Sequence, residues 1–329
     1  MITVIYGISQ AILLESFGNL EEQTTIENVE RVADALSDEV SDLDTFTYDW
    51  AAWDDTYAFI EEMSIDYVES NLLDETFIGA EINLMVFVNS SGQSVFSKAF
   101  DLQNETEIEV PQSFWELLFA QENLWLHNEP ENSTSGIIFL PEGPMIIASR
   151  PIITSENEGP VRGALIMGRY LDSEKIESLA ARTHLSITLH STDDSQLPAD
   201  FREVLSLLSD EQPTLVLPLS EDDVAGYSLV KDVKGSSVLL MRVDMPRDIY
   251  KQGQSSLFHL LSALLVIGLV FGITSLLSLE KLVLARVELK ETRAQLLKAE
   301  RLAAIGELAA IIGHDLRNPL TGIAGASYY

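Results

Sequence analysis

The sequence predicts an α+β chain: two small antiparallel modules in tandem on a long N-terminal helix, followed by membrane-crossing and further helical segments. Three observations predict it. Residues 20 to about 60 contain neither Pro nor Gly, and Val29, Val32, Leu36, Val40, Leu43 and Trp50 recur at near-helical spacing. Between residues 83 and 244, short apolar and β-branched runs alternate with Gly, Pro and Asn turns, which is the pattern of paired strands. Leu257 to Leu277 then runs without one formal charge, long enough as a helix to cross a bilayer core of roughly 30 Å.

Charge divides the chain in the same way. The 329 residues carry 52 acidic and 20 basic side chains, a formal net charge of −32. Of these, 45 acidic and 13 basic residues lie between Gly18 and Gln254, whereas six acidic and seven basic residues follow Ser278. So negative a field over the first segment argues against nucleic acid and against anionic lipid surfaces as partners. Cysteine is absent, so disulfides and thiolate metal sites are excluded and each module must be held by its core. His127, His184 and His190 are scattered; no metal-ligand spacing is formed, and no glycine-rich phosphate cradle is present.

Taken in order, residues 1–17 are apolar with Glu15 near the far end, and we read them as the outer part of a first transmembrane helix whose beginning lies upstream. Residues 18–171 form the first module. Its long helix holds Tyr48-Asp-Trp-Ala-Ala-Trp-Asp-Asp-Thr-Tyr57, two tryptophans and two tyrosines beside three aspartates. Trp50, Trp53, Asp54 and Tyr57 suit a lid over a small-molecule pocket or a cation site, and they equally suit packing of a helix on a sheet. Five strands are expected after the helix, at Asn83–Asn89, Ser94–Ser97, Ile137–Leu140, Met145–Thr154 and Gly163–Tyr170, as a one-sided module. Arg150 and Arg169 stand out in so acidic a segment. They would form a bidentate clamp for a carboxylate ligand or serve as ordinary salt bridges.

Residues 172–246 read as a second module of the same order: helix at Ser173–Arg182, strand at Leu185–His190, helix at Pro198–Leu208, then strands at Thr214–Leu219, Val224–Lys231 and Ser236–Asp244. Residues 247–279 hold the membrane helix with its lead-in. Lys281, Arg286, Lys290 and Arg293 follow and orient the C-terminal side toward the cytoplasm. Two spans would place the acidic segment outside. In residues 280–329, Leu282, Leu289 and Leu296 lie seven apart, as in a short coiled-coil seam between two copies. Leu302, Ile305, Leu308 and Ile312 continue an apolar stripe, and His314 and Asn318 share another face one turn apart. Pro319 has no N–H for the carbonyl of Asp315 and is expected to bend the helix there.

The tryptophan run, the Asn89-Ser-Ser-Gly92 turn, Arg150-Pro-Ile-Ile and Gly163 with Met167-Gly-Arg169 together resemble the fourth type of the extracellular CHASE sensor family, found on prokaryotic histidine kinases. The resemblance covers about Leu20 to Leu171 and implies a sensor for a small extracellular ligand; the repeated order of helix and strands reads both modules as PAS-like. His314-Asp-Leu-Arg-Asn-Pro-Leu320 resembles the phosphoacceptor box of sensor histidine kinases, within a dimerisation helix. That resemblance implies that His314 attacks the γ-phosphorus of ATP, that Asp315 orients the ring or takes its proton, and that Asn318 holds phosphate or water. It implies a homodimer in the cell membrane, a cytoplasmic response regulator as partner, and ATP with Mg in the longer protein. No cofactor is expected on the stretch given, which is expected to be the front of a longer kinase and inactive alone. A chemoreceptor would share the outside architecture, but the box from His314 to Leu320 argues against it; in a membrane-tethered binding or adhesion module the same helix would serve only as a dimeriser.

Overall fold

The computed structural model describes residues 2–326 apart from 195, 210 and 211; for 2–9, 11 and 314–326 it describes secondary structure only. Two compact units divide it, residues 10–253 and the remainder, and each is described by itself.

In the first unit α1 (Ile2–Ala51) is the spine. Its buried positions, among them Val29, Val32, Leu36, Glu39, Leu43, Thr47 and Ala51, follow the three- and four-residue steps of one helix face. The earlier part of that stripe packs on the second sheet, where Val29 and Val32 join Val224, Met241 and Val243. The later part packs on the first, where Leu36, Leu43 and Ala51 join Met85, Phe87 and Ile146. One helix therefore touches both modules.

The helix ends at Ala51, short of the expected Ile60. Trp53 is extended (φ −127°, ψ 133°) and starts a separate helix, α2 (Asp54–Glu62). The break has a tertiary cause: the Ile153 N–H donates to the Ala51 carbonyl at 3.1 Å, in competition with the helix's own ladder. Helices α3 (Ile65–Asn71) and α4 (Asp74–Ala80) follow, both unanticipated.

The first sheet has six strands, not five: β1 (Leu84–Asn89), β2 (Ser94–Asp101), β3 (Thr106–Ile108), β4 (Thr134–Leu140), β5 (Gly143–Pro151) and β6 (Gly163–Tyr170). They are ordered β3-β2-β1-β6-β5-β4, every neighbouring pair antiparallel. The one-sided expectation is also corrected. Helix α5 (Gln112–Ala120) and the 3-10 turn after it cover the second face, where Phe114, Leu118 and Leu124 meet Leu84, Val86 and Ile166. Because both faces are covered, Leu84 to Val88 are all buried, as an unbroken apolar run requires.

The second sheet agrees closely with the sequence reading. Helix α6 (Ser173–Thr183), β7 (Ser186–Ser191), α7 (Ala199–Leu205), β8 (Thr214–Pro218), β9 (Asp223–Lys231) and β10 (Ser237–Pro246) occur in order. The strands are arranged β7-β10-β9-β8, again antiparallel. Asp172 caps α6 by accepting from the Lys175 N–H at 2.9 Å, one of the orphan donors at a helix start.

Helix α8 (Asp248–Ala326) begins two residues after β10. It is long and apolar enough to cross a membrane: a window within Asp248–Gly313 has a mean hydropathy of 2.5 and no buried residues. Among the described residues it is the single helix that meets that test. The expected first span, residues 1–17, falls largely on side chains outside the described set. Pro319 lies inside the helical assignment, which continues to Ala326.

Candidate functional site

The aromatic run sits where α1 gives way to α2, and its side chains both pack and fasten. Trp50 and Trp53 meet edge to face at 6.2 Å, and Trp53 leans on Tyr67 at 6.0 Å; all three border the first core. The polar members hold the β5–β6 connection down. Tyr48 Oη donates to Asn157 Oδ1 at 2.6 Å. Asp54 and Ser155 exchange two hydrogen bonds, each backbone N–H meeting the other's side-chain oxygen at 3.1 and 3.0 Å. Tyr57 Oη donates to the Pro160 carbonyl at 3.2 Å, and the Arg162 guanidinium lies 3.7 Å from the Tyr57 ring centre, a cation–π stack. The structure thus brings Trp50, Trp53, Asp54 and Tyr57 together as one seat under the loop of residues 154–162.

The two arginines are not brought together. In the β5–β6 ladder Arg169 faces Ile146 and Arg150 faces Leu165, so they stand four residues apart along the strands, roughly 13 Å. Each is committed to α1. Arg150 makes a bidentate pair with Asp44, Nε to Oδ1 at 2.8 Å and Nη2 to Oδ2. Arg169 gives Nη1 to Glu39 Oε2 at 3.1 Å, and Nε and Nη2 to the Glu81 and Ala80 carbonyls at 2.7 and 2.9 Å. A joint clamp for a carboxylate ligand is therefore corrected to two rivets between α1 and the first sheet. Arg169 does line a groove of about 280 Å³ with Glu81, Asn83 and Lys175, but its donors point to partners already named.

Glu39 is the charged centre that sequence reasoning missed. It is 5% exposed, yet Lys175 Nζ at 2.7 Å, Arg169 and Arg182 all converge on it. Burial alone would raise its pKa; hydrogen bonding and charge from Lys175, with the charges of Arg169 and Arg182, hold it below the ordinary carboxyl value. The cluster ties α1 to β6 and α6, one element from each module and the spine between them.

His127 is a second buried ionisable group. Ser149 Oγ donates to the Leu124 carbonyl at 2.6 Å and so has no proton left for the imidazole. His127 Nε2 must therefore donate to Ser149 Oγ, 2.9 Å away. Burial, and then the charge of Arg150, push its pKa from 6.5 down to about 4. A depressed histidine stabilises the fold fully above the unfolded value, and that stability is lost as pH falls toward the folded one. The shift is worth on the order of 3 kcal/mol. Wild type should therefore lose stability between pH 6.5 and 4, and His127→Gln should flatten that limb in urea unfolding; an unchanged profile would remove His127 from the account.

His314, Asp315 and Asn318 lie on α8, but their side chains fall outside the described residues. The helical backbone places Asn318 one turn beyond His314. Among the described residues no three His, Asp or Glu side chains group as a metal site would.

Two antiparallel modules on one spine, followed by a membrane-length helix, define an α+β architecture. Residues 35–190 match the CHASE4 domain, and the chain is similar to histidine kinases. It is 26% identical over 268 residues to the methanogenesis regulatory histidine kinase FilI of Methanothrix harundinacea, covering 82% of this chain and 29% of that protein. Over 36 residues, 11% of this chain and 6% of the relative, it is 56% identical to the signal transduction histidine-protein kinase AtoS of Escherichia coli. The chain thus spans less than a third of either relative. Among solved structures, the extracellular domain of vpHK1S-Z8 superposes with a TM-score of 0.48 at 12% identity, covering 74% of this chain and 95% of that one. The periplasmic domain of Vibrio cholerae LuxQ gives 0.41 at 12% identity, covering 67% and 98%.

Proposed function

We propose that the chain is the sensing and membrane portion of a homodimeric two-component histidine kinase. A small extracellular molecule acts on the tandem, PAS-like modules, and the signal passes along α8 to His314, which accepts phosphate from ATP when an ATP-binding domain and Mg are present. A cytoplasmic response regulator then takes the phosphate. One observation carries the reading: α8 starts directly after the last strand of the second sheet and continues as one helix through the apolar stretch to the His314-Asp-Leu-Arg-Asn-Pro box. Movement at its base has a continuous path to the phosphoacceptor.

Within this reading Asp315 orients the imidazole and Asn318 holds phosphate or water. The seat of Trp50, Trp53, Asp54 and Tyr57 is the place where a distal ligand would act; engagement of Arg150 or Arg169 would require displacing Asp44 or Glu39. Leu282, Leu289 and Leu296 are 55%, 70% and 57% exposed, as a seam awaiting a second copy would be. A multi-pass topology completes the proposal.

The absence of cysteine makes a topology test simple. Single-cysteine variants Ser91→Cys, on an exposed turn, and Ala309→Cys, on an exposed helix face, are treated in intact cells with an impermeant maleimide. Labelling at 91 and protection at 309 until lysis is the expected result; the reverse pattern, or labelling of both, would contradict sensing outside and phosphotransfer inside.

A further inference from the structure

The two modules meet at a second place besides the spine. The β9–β10 hairpin reaches across to the edge strand of the first sheet. There the Val233 N–H donates to the Ile137 carbonyl at 3.0 Å, and the Val233 side chain packs into the second core of the first module. The contact is close enough to require glycine opposite it: Gly136 has φ +152°, and a Cβ there would lie 2.9 Å from Val233 Cγ1. The hairpin tip is fixed by Asp232, whose Oδ1 accepts from the Lys234 and Ser236 N–H groups at 2.9 and 2.8 Å.

Beside this contact lies a cavity of about 230 Å³, walled by Gln121 and Ile138 of the first module and by Asp193, Val233 and Lys234 of the second. It is smaller than the roughly 300–1,000 Å³ that holds drug-sized ligands. Gln121 is 7% exposed, and its Oε1 is buried without a hydrogen-bond partner. A buried acceptor of that kind costs about 1–3 kcal/mol unless a donor reaches it. Asp193 and Lys234 line the same cavity and are exposed. Neither side-chain charge has an ion-pair partner within 4.0 Å among the described residues. Gln121, Asp193, Asp232 and Lys234 all line this small cavity, Asp232 with its Oδ1 already engaged by the hairpin.

We infer that this junction cavity is a binding site for a small zwitterion. Its ammonium group is held by Gln121 Oε1 and Asp193, and its carboxylate by Lys234. The acidic field of the segment favours entry of the ammonium end, and Lys234 supplies what the rest of that field denies a carboxylate. The site is separate from the aromatic seat of the first module. An occupant would bridge the edge of the first sheet to the β9–β10 hairpin and change how firmly the modules are joined. Binding there does not depend on whether His314 accepts phosphate.

L-alanine is the probe, titrated calorimetrically into the full chain held in lipid nanodiscs, with L-alaninamide and propionate as singly charged controls. The expected result is saturable binding of L-alanine, one molecule per chain, with both controls about tenfold weaker or more. Loss of one charge-assisted contact is worth that factor. Lys234→Gln and Asp193→Asn, both at exposed positions, should each weaken L-alanine about tenfold, and Gln121→Leu should abolish binding. No saturable binding of L-alanine, equal binding of L-alaninamide, or affinity unchanged in both Lys234→Gln and Asp193→Asn would overturn the assignment.

Discussion

Replacing Glu39 with alanine is expected to destabilise the folded chain by about 3–5 kcal/mol, the cost of breaking a buried charge cluster by removing one partner. Three cations lose their common anion at once. Arg169 and Lys175 are each 13% exposed at the side chain, whereas Arg182 is about half exposed, so the first two bear most of the loss. Arg169 keeps its two carbonyl acceptors, which limits the damage without removing its unpaired charge. The pH dependence has a definite sign. The Glu39 pKa is lowered from 4.5, so its contribution is present above the unfolded value and disappears as pH falls through the folded one. Urea unfolding at pH 7 measures the loss directly, and a series below pH 4.5 should show a steeper acid limb in wild type than in the variant. A penalty under about 1 kcal/mol, typical of solvated surface pairs, would mean that the cluster is wet and does not lock α1 to both modules. This window lies below most of the one assigned to His127, so the two groups are separable by pH.

Gly163→Ala is expected to cost on the order of 4 kcal/mol or more, the range reached by strain at a special backbone position. Gly163 pairs with Asn89 at the end of the β1–β6 ladder. A Cβ built on it would stand 2.0 Å from the Val88 carbonyl oxygen and 2.9 Å from the Asn89 Cα. Both obstacles are backbone in the central pair of strands, so no side chain can swing aside to relieve the contact. Gly79 is the internal control. It lies within α4 and a Cβ there meets nothing within 4 Å, so Gly79→Ala should be neutral or stabilising by about 0.5–1 kcal/mol. Melting curves of the two variants should move apart; similar midpoints would contradict the ladder geometry.

The second module was legible in the sequence almost strand for strand, because its runs are short, apolar and bounded by Pro198, Pro213, Pro218 and Gly235. The first module was less so, and each miss has a physical reason. Strand β3 is exposed at every position, so it shows no apolar alternation and exists only as an edge paired to β2. The break after Ala51 depends on Ile153 and Ser155, about a hundred residues away, and no local signal announces it. Arg150 and Arg169 were rightly singled out in so acidic a segment, but spacing along the chain could not show that Asp44 and Glu39 lie opposite them. Glu39 itself could have been found. It falls three residues after Leu36 and four before Leu43, a charged residue on an otherwise apolar stripe. The junction cavity could not, since Gln121, Asp193 and Lys234 are joined only by the crossing of the hairpin over the first sheet.

The most direct test of the central claim is phosphate transfer to His314. The chain, extended through a second dimerisation helix, is mixed with a histidine-kinase ATP domain, Mg and labelled ATP, alongside His314→Gln carrying the same extension. The account predicts acid-labile label on the wild type and none on the variant. With a folded dimer verified for both and the ATP domain active on its own substrate, label retained in His314→Gln, or absent from the wild type, would contradict it.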